Sequence, residues 1–318
     1  MQVVHGHTHV PITARAAVVA IGNFDGVHLG HRVLLKESVA KGKELGRPSG
    51  AMLFEPHPRE FFQPNEQHFR LTPLKRKLTL FEQLGLKVAF VEHFDFHLAG
   101  LKAEEFIERV LVAGLGVSHV IIGYDFYFGN KRGGNPEMMV HAGEQLGFGV
   151  TVIPPVAEAG ETFSSSSVRL HLAQGDVKGA AHMLGENWRV AGKVVGGAKR
   201  GTGFGYPTAN VPLPKGTGLG HGIYAVRAHV DGKTHAAAAY LGTRPTFDDG
   251  MPVLEVFLFD FDGDLYGHEM DIEFVDFLRG DRKFSSPEEL VAQMNEDVAK
   301  ARVILSAIPP FPSEIGPV

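Results

Sequence analysis

The chain has 318 residues, of which 44% are hydrophobic and 21% are charged, as in globular proteins with one or two domains. Its formal net charge of −5 argues against a broad basic surface for nucleic acid, and the absence of cysteine excludes disulfides, a thiol nucleophile and a thiolate metal site. No apolar stretch approaches the ~20 residues that span a bilayer, and the first residues lack the pattern of a secretory signal. We therefore expect a cytoplasmic protein that binds neither a membrane nor nucleic acid.

The first predicted element is a buried strand, AAVVAI at residues 16–21. Ahead of it, the alternating histidines of HGHTH at 5–9 are a possible metal site, but we interpret this segment as a frayed start without a function. After the strand, GNFDGVHLGHR at 22–32 contains glycines, an aspartate and two histidines, and it predicts a tight turn. A helix is predicted at 32–45, and the apolar residues near one of its faces are Val33, Leu34, Leu35 and Val39.

The two histidines of this turn, His28 and His31, have a spacing that favours phosphate binding. In parallel α/β sheets, ligands bind beyond the carboxyl ends of strands, and N–H groups at a helix N-terminus there attract an anion. The histidines would donate to phosphate oxygens and, when protonated, add positive charge as those oxygens gain charge. Two alternatives stay open: one histidine only caps the helix, or the pair binds a metal, although no third ligand is found nearby.

The rest of the first half alternates predicted strands and helices. The strands are AMLF at 51–54, VAFV at 88–91, HVIIG at 119–123 and FGVTVI at 148–153. The helices lie at 101–115 and 135–147, the second with Asn135 as its cap and Pro136 at its first position. This alternation predicts an α/β fold with a parallel sheet that is covered by helices on both faces.

The pattern changes after residue 187, because strands then follow one another without helices between them. Two hairpins are predicted, one around Asp231 and Gly232 and one over residues 253–278. A final helix begins at the capping box of Ser286 and Glu289. We therefore predict a small antiparallel β-barrel with a C-terminal helix. The predicted domains are 1–186 and 187–318, joined by short helical pieces at 169–187.

Four sequence blocks of the first half resemble the nucleotidyltransferase domain of bacterial bifunctional riboflavin kinase/FAD synthetases. These blocks are GNFDGVHLGH at 22–31, FEPHP at 54–58, GYDFYFGNKRGGN at 123–135 and FSSSSVR at 163–169. Glu55 and Ser166 depart from the aspartate and threonine of the family pattern. The H-x-G-H element also occurs in class I aminoacyl-tRNA synthetases, but the lysine-rich loop of those enzymes is absent here. The resemblance implies a Rossmann-like FMN adenylyltransferase (FAD synthetase) domain.

Blocks in the second half resemble riboflavin kinase, in the order and spacing of that family. These blocks are GKVVGGAKRGTGFGYPTANVPLP at 192–214, YLGTRPTF at 240–247, LEVFLFDFDGDLYG at 254–267 and FLRGDRKF at 277–284. Thr202 stands where the family usually has a second arginine, so either the loop holds phosphate less firmly, or Lys199 and Arg200 take over that contact. Glycine-rich loops supply backbone donors for phosphates, although such a loop can also be a plain connector.

For the adenylyltransferase, the resemblance implies that His28 and His31 are catalytic. The residues implied to bind nucleotide are Gly22, Phe24, Asp25, Gly30, Ser164, Ser165, Ser166 and Arg169. Those implied to bind flavin are Glu55, His57, Asp125, Phe126, Phe128 and Arg132. Taken alone, the serines would be a helix cap and the phenylalanines would belong to the core.

For the kinase, the resemblance implies that Glu255 is the general base, whereas a strand glutamate alone would only face solvent. The residues implied to bind nucleotide are Gly196, Lys199, Arg200, Gly201, Gly205, Tyr206, Pro207, Thr208 and Asn210, of which Thr208 and Asn210 would also ligate Mg²⁺. Those implied to bind flavin are Arg244, Pro245, Thr246, Phe247, Arg279 and Phe284.

The resemblance as a whole implies a transferase with two activities. The kinase would convert riboflavin and ATP into FMN with Mg²⁺, and the adenylyltransferase would convert FMN and a second ATP into FAD and pyrophosphate. The alternatives are a chain that retains only one activity, or a flavin-binding regulator without turnover. The sequence leaves the oligomeric state open.

Overall fold

The structure, a computed structural model, describes residues 1–158, 160–196, 206–242 and 253–309. Within these residues the chain forms two compact units, which are described separately. The first contains Met1–Gln67 and Thr72–Ser164, and the second contains His68–Leu71 and the described residues from Ser165 onward. The boundary between the compact units therefore lies between residues 164 and 165, whereas the sequence predicts the boundary between the functional domains after residue 186. Because function and compactness divide a chain by different criteria, the boundary at 186 stays a prediction.

A six-stranded parallel sheet forms the centre of the first unit. Its strands are β1 Gln2–His5, β2 Val18–Ile21, β3 Ser49–Glu55, β4 Val88–His93, β5 His119–Gly123 and β6 Gly149–Ile153. They are arranged in the order β1-β4-β3-β2-β5-β6, and every neighbouring pair is parallel. The predicted parallel sheet is confirmed. All four residues of β2 are buried, as expected for a strand covered on both faces.

The N-terminal segment forms an edge strand, so the prediction of a frayed start is wrong. β1 pairs with β4, and the Nδ1 atom of His7 lies 2.8 Å from the Oε2 atom of the buried Glu92. Only Val4 is buried in β1. With one buried position, the strand has too little hydrophobic periodicity to be recognised from its sequence.

Helices cover both faces of this sheet, as predicted. They are α1 Leu29–Leu45, α2 Pro58–Phe62, α3 Leu74–Gln83, α4 Phe96–Gly100, α5 Ala103–Glu105 with a π-helical continuation over Phe106–Leu115, and α6 Pro136–Leu146. Val19 and Ile21 of β2 belong to one hydrophobic cluster, and Val18 and Ala20 belong to the other. The predicted cap of α6 is confirmed by a 2.9 Å hydrogen bond from the Met138 N–H to the Asn135 side chain.

Helix α1 packs on the sheet through a face that is more polar than predicted. Leu35, Ser38 and Gly42 are buried, whereas the other predicted apolar positions are only half-buried. The Ser38 hydroxyl donates to the Val18 carbonyl at 2.9 Å and accepts from the Gly50 N–H at 3.2 Å. Since two strand backbones satisfy this hydroxyl, a small polar residue can lie in the middle of the interface.

The second unit contains an antiparallel sheet that closes almost completely into a barrel. After the short ribbon of β7 Ala157–Glu158 and β8 Glu161–Thr162 in the first unit, its strands are β9 Arg189–Lys193, β10 Ala209–Pro212, β11 Gly222–Val230, β12 Lys233–Leu241, β13 Val253–Leu258 and β14 Glu269–Arg279. The order is β10-β13-β12-β11-β14-β9. The Val195 N–H donates to the Asn210 carbonyl at 2.9 Å and joins the two ends of the sheet. The predicted barrel is confirmed.

One of the two predicted hairpins is present. β11 and β12 pair around Asp231 and Gly232, whose φ angles of 49° and 73° suit a tight hairpin turn. The hairpin over 253–278 is wrong, because β13 pairs with β10 and β12 whereas β14 pairs with β11 and β9. The central β11–β12 hairpin presents two free edges, and β13 and β14 add to opposite ones.

Three helices complete the second unit: α7 Ser165–Ala173, α8 Val177–Leu184 and α9 Pro287–Ala307. Ser286 caps α9 as predicted, by accepting from the Glu289 N–H at 3.2 Å. The Glu289 carboxylate, however, accepts from the N–H of Ser285 at 3.0 Å rather than from the cap residue. None of the helices in the described part of the chain combines the length and the apolar character needed to cross a membrane.

A buried carboxylate in the barrel, Glu273, is surrounded by hydrogen-bond donors. Its Oε1 accepts from Arg227 at 2.8 Å and Asn187 at 2.7 Å, and its Oε2 accepts from Arg189 at 2.7 Å and lies 3.1 Å from His229. Burial alone would raise the pKa of Glu273, but these hydrogen bonds and the two guanidinium charges outweigh it and lower the pKa to about 2. The carboxylate is therefore ionised at neutral pH.

Candidate active sites

The H-x-G-H loop lies at the point where the strand order of the parallel sheet reverses. The loop follows β2, whose neighbours are β3, the next strand along the chain, and β5 on its other side. Open α/β sheets bind ligands at this switch point, beyond the carboxyl ends of the strands. The first unit thus presents the predicted loop at the place where its fold favours a ligand.

The backbone of this loop is held in an unusual conformation. The φ angles of Phe24, Gly26 and Val27 are 50°, 88° and 46°. A positive φ is unfavourable for a β-branched residue such as Val27 and persists only where the surroundings hold it. The Arg32 side chain donates to the Val27 carbonyl at 3.1 Å, and the buried Asp25 accepts from the Thr72 N–H at 3.1 Å. Asp25 therefore anchors the loop, whatever contact it also makes with a nucleotide.

His28 is the N-cap of α1, so the capping alternative describes one of its roles. Its Nδ1 atom accepts a hydrogen bond from the His31 N–H at 3.2 Å. A neutral imidazole that accepts at Nδ1 carries its proton on Nε2, which remains a donor. The two histidine rings are stacked, with centroids 3.6 Å apart. The cap thus holds the two imidazoles face to face at the N-terminus of a helix.

His31 is held neutral by its surroundings. Burial lowers its pKa well below the usual value, and the positive charges that His28 and Lys77 can carry lower it further. Its Nδ1 atom is buried and has no hydrogen-bond partner among the described residues. Phe24 packs edge-on against the ring, with centroids 5.3 Å apart. At neutral pH His31 is therefore a neutral imidazole, not the cation that the sequence left as a possibility.

Gly30 allows a close approach that a larger residue would prevent. A Cβ atom at this position would lie 3.1 Å from the His28 Nδ1 atom and 3.1 Å from the Phe163 carbonyl oxygen. Such contacts are tighter than those of ordinary side chains, so an alanine would push on both neighbours. Gly22 is similar, because its Cβ would lie 3.2 Å from the Phe24 ring. The two glycines thus let the loop fold tightly around His28.

The serine block contributes to both compact units. Ser164 ends a segment of the first unit, whereas Ser165 and Ser166 begin α7 in the second. Within the second unit, the Arg169 Nε atom donates to the Phe69 carbonyl at 2.7 Å. Ser166 is exposed, and Ser164, Ser165 and Arg169 are half-buried, so all four remain accessible.

The loops after β3 and β5 meet the same edge of the sheet as the H-x-G-H loop. Glu55 ends β3, and His57 caps α2 by accepting from the Arg59 N–H at 3.1 Å. After β5, Asp125 is exposed and the Arg132 guanidinium lies 4.9 Å from the centroid of the Tyr127 ring. These polar predicted residues are accessible to a ligand.

The two phenylalanines of this region belong largely to the core. Phe126 and Phe128 stack with centroids 5.3 Å apart, and Phe128 is buried in the hydrophobic cluster of the first unit. The Gly134 position faces the Phe128 ring so closely that a Cβ would lie 2.6 Å from it. The core interpretation therefore describes Phe128, while the half-buried Phe126 retains an accessible edge.

An aromatic cluster that the sequence analysis missed lies just past β3 and β4. Phe61 contacts Phe62, Phe94 and Phe96, with ring centroids 5.2, 5.3 and 4.8 Å apart. Phe62 is 64% exposed and Phe96 is 86% exposed. Exposed aromatic clusters mark binding surfaces. The signal was present in FEPHPREFF and EHFDF, where aromatic residues recur at the ends of two predicted strands.

Lys77 was also missed, although its position carries a signal. It lies on the stripe of α3 that contains the buried Leu80 and Phe81, where an apolar residue is expected. Its Nζ atom donates to the Asn23 carbonyl at 3.0 Å, in the H-x-G-H loop. A lysine on an apolar stripe is thus directed at the site.

The described part of the kinase region aligns three polar residues across neighbouring strands of the barrel. Glu255 of β13 lies opposite Asn210 of β10 on one side and Tyr240 of β12 on the other. Asn210 is buried, and Thr208 and Glu255 are half-buried. Strand register therefore places the predicted base opposite Asn210, one of the two predicted magnesium ligands, and Thr208 lies just before β10.

Two other predicted kinase residues, Tyr206 and Arg279, contact side chains of α9. The Tyr206 hydroxyl donates to Asn295 at 2.5 Å, and the Arg279 guanidinium pairs with Asp297 at 2.8 Å and lies 5.7 Å from the centroid of the Phe284 ring. Gly196 and Pro207 are exposed. The predicted residues outside the described part of the chain are Lys199, Arg200, Gly201, Gly205, Arg244, Pro245, Thr246 and Phe247, together with Thr202.

Comparisons with known proteins agree with both family resemblances. The sequence profile of the FAD synthetase family matches residues 11–167, and that of the riboflavin kinase family matches residues 184–305. The chain is 40% identical to the bifunctional riboflavin kinase/FMN adenylyltransferase of Pseudomonas fluorescens over 305 residues, with 96% of this chain and 98% of that protein covered. It is 34% identical to the protein of the same description from Bacillus subtilis, with 95% and 96% covered.

Among solved structures, one described as a macrolide-efflux protein from Streptococcus pneumoniae is similar to this chain. The TM-score is 0.83 at 27% sequence identity, and the match covers 95% of this chain and 99% of that one. The likeness in fold therefore extends over both units.

Proposed function

We propose how the described residues carry out the two reactions of the bifunctional riboflavin kinase/FMN adenylyltransferase family, to which this chain belongs. As a member of that family the chain is a transferase of flavin cofactor biosynthesis, which phosphorylates riboflavin to FMN and adenylylates FMN to FAD. ATP is the second substrate of both reactions.

Adenylyl transfer takes place at the H-x-G-H loop of the first unit. The FMN phosphate attacks the α-phosphorus of ATP, the bond from that phosphorus to the bridging oxygen breaks, and pyrophosphate leaves. The stacked pair of His28 and His31 at the N-terminus of α1 carries this assignment. Imidazole and helix N–H groups stabilise the negative charge that grows on the phosphate oxygens. Burial lowers the pKa of His31 well below its usual value, so we assign it the role of a hydrogen-bond donor.

The groups around this pair bind the rest of the nucleotide. Gly22 and Gly30 leave room for a phosphate to approach the backbone, while Phe24 and Asp25 shape and anchor the loop. By the family resemblance, the hydroxyl and guanidinium groups that contact nucleotide phosphates also include those of Ser164, Ser165, Ser166 and Arg169.

The flavin ring of FMN binds along the carboxyl edge of the parallel sheet. The exposed aromatic cluster of Phe61, Phe62, Phe94 and Phe96 offers the flat apolar surface that an isoalloxazine ring requires. The polar residues predicted for flavin at the same edge are Glu55, His57, Asp125 and Arg132, and Phe126 adds its accessible edge.

Phosphorylation of riboflavin takes place in the barrel. The 5′-hydroxyl of riboflavin attacks the γ-phosphorus of ATP, the bond from that phosphorus to the β–γ bridging oxygen breaks, and ADP leaves, while Glu255 accepts the hydroxyl proton. Strand register supports this role, because it places Glu255 directly beside Asn210, which would contact the phosphates. A proton acceptor beside a phosphate ligand is the arrangement that phosphoryl transfer to an alcohol needs.

The oxygen atoms of Thr208 and Asn210 suit Mg²⁺, which prefers hard oxygen ligands and usually takes others from ATP. A bound magnesium ion would neutralise charge on the transferred phosphoryl group. Asn210 is buried and lies opposite the predicted base, and Thr208, two residues before it in the chain, is half-buried. A cytoplasmic location is part of the same proposal, since both reactions consume ATP.

The histidine pair provides the sharpest test of the proposed function. The double variant His28→Ala, His31→Ala should form FAD at least ~10²–10³-fold more slowly, which is the loss in rate that removal of one well-placed donor causes. FMN should still accumulate from riboflavin. The exposed His141→Ala, in the same unit, is the matched control and should change neither rate. Chromatography of the flavin products over time measures both. Normal FAD formation by the double variant would remove the pair from the mechanism.

A further inference from the structure

Lys77 is the one lysine among the buried polar residues in the part of the chain that the structure describes. Its side chain is 1% exposed and lies near the start of α3. A buried ammonium group is costly even when it is hydrogen-bonded, and a positive charge near a helix N-terminus opposes the helix dipole. Both effects disfavour a lysine at this position, so stability alone does not account for it.

The ammonium group of Lys77 holds the H-x-G-H loop near its start, at Asn23. It donates to the Asn23 carbonyl at 3.0 Å, immediately before Phe24, the first of the positive-φ residues. One turn further along α3, Phe81 packs edge-on against Phe24, with centroids 5.4 Å apart. The Thr72 N–H, just ahead of the helix, donates to Asp25. The segment from 72 to 81 thus contacts three consecutive residues of the loop.

These contacts bear directly on the histidine pair. A loop with positive φ at Phe24 and Val27 would relax if its anchors were removed. Val27 is followed directly by His28, whose Nδ1 atom accepts the hydrogen bond from the His31 N–H and so holds His31 in place. Small displacements of reacting groups are expensive in catalysis, on the order of 10²-fold for 1 Å.

Lys77 also acts on His31 through its charge. Its positive charge is one of the causes that lower the pKa of His31, after burial and the charge of His28. Other charged side chains on the elements around His31 are Asp25 of the loop, Arg32, Lys36 and Glu37 in the first half of α1, and Lys75 and Arg76 of α3. Lys77 therefore disfavours a protonated His31 at the same time as it anchors the loop.

We propose that Lys77 is a positioning residue for adenylyl transfer, whose ammonium group holds the Asn23 carbonyl and thereby sets His28 and His31 in place for the substrate phosphates. This inference rests on the proposed function of the histidine pair. It assigns to α3 a part in a reaction whose other residues come from sheet loops and α1.

The test compares Lys77→Met, which keeps the length of the side chain without its charge, with Lys75→Met, an exposed lysine of the same helix. FAD formation from supplied FMN and ATP gives kcat and KM, and FMN formation by the same preparation checks that the chain is folded. In Lys77→Met, kcat for FAD formation should fall about 10–100-fold with little change in the KM for ATP. Lys75→Met and the FMN activity should be unchanged.

A second readout separates positioning from mere structural support. The His31 imidazole, followed by NMR as pH is varied, should titrate at higher pH in Lys77→Met, because a nearby positive charge has been removed. Should Lys77→Met fail to fold, Lys77→Gln keeps an N–H donor without the charge and should show the same shift. An unchanged kcat with an unchanged His31 titration overturns the role of Lys77. Retained FAD formation in the double histidine variant overturns instead the proposed function on which it rests.

Discussion

The buried carboxylate of the barrel makes a quantitative prediction about stability. Replacing Glu273 by Gln puts an amide NH₂ group against a ring of donors and leaves Arg189 and Arg227 without their common counter-charge. Breaking a buried ion pair on one side costs about 3–5 kcal/mol. We expect the free energy of unfolding of the second unit to fall by about that amount at pH 7. Glu269→Gln, exposed on the same strand, should stay within about 0.5 kcal/mol of the parent chain.

The pH dependence of this effect follows from the lowered pKa of Glu273. The pKa falls from an ordinary value of 4.5 to about 2 in the folded chain, which corresponds to about 3 kcal/mol of stability at 1.36 kcal/mol per unit. Because the folded pKa is the lower one, this stability is fully present above pH 4.5 and is lost as the pH falls to about 2. The difference in the free energy of unfolding between the parent chain and Glu273→Gln should therefore become smaller as the pH falls over that range.

The sequence provides its own probe for the measurement. Trp188 is the only tryptophan of the chain, and it is buried against Phe274, the neighbour of Glu273 on β14. Its fluorescence during urea unfolding reports on the second unit without interference from the first. A gap between parent and Glu273→Gln that stays constant from pH 7 to pH 2 would refute the assignment of the stability to the ionised carboxylate.

Three further predictions concern activity. Gly30→Ala should lower the rate of FAD formation about tenfold or more, because its Cβ atom would crowd His28 and Phe163, and FMN formation should be kept. A rate of FAD formation equal to that of the parent chain would show that the loop can adjust. Glu255→Gln should lower FMN formation by about 10²–10⁴ and still quench riboflavin fluorescence on binding, whereas lost binding would contradict a role in proton transfer. Thr202→Arg, which lies outside the described residues, should lower the KM for ATP in FMN formation, and the decrease should be smaller at high salt. An unchanged KM would indicate that Lys199 or Arg200 already makes the phosphate contact.

The fold could be predicted where the hydrophobic pattern was strong. The strands after residues 50, 87 and 118 and the hairpin at Asp231 follow directly from apolar runs and turn residues. Pairing between strands far apart in sequence could not be predicted, because local pattern says nothing about which edge a later strand joins. The error over β13 and β14 has this origin.

The candidate sites show the same division. Motif spacing located His28 and His31, but the lowered pKa of His31 depends on burial in the fold and on the charge of Lys77, which lies on α3 far along the chain. Lys77 and Phe96 are remote in sequence from the motifs they adjoin, so only the folded chain brings them into consideration. Conversely, Phe128 belongs to a sequence motif but lies in the hydrophobic core. A motif gives residue types and their spacing, and it does not show which atoms each side chain contacts.

The path of the chain makes the second compact unit include a short segment of the N-terminal half. This segment is the tetrapeptide His68–Leu71, which lies in the middle of that half in sequence. The carbonyls of Phe69 and Leu71 accept from the Arg169 guanidinium at 2.7 Å and the Trp188 indole at 3.0 Å. A gene split after residue 164 would leave both donors without these acceptors. A fragment that begins at residue 165 would therefore need other hydrogen-bond acceptors for one guanidinium and one indole.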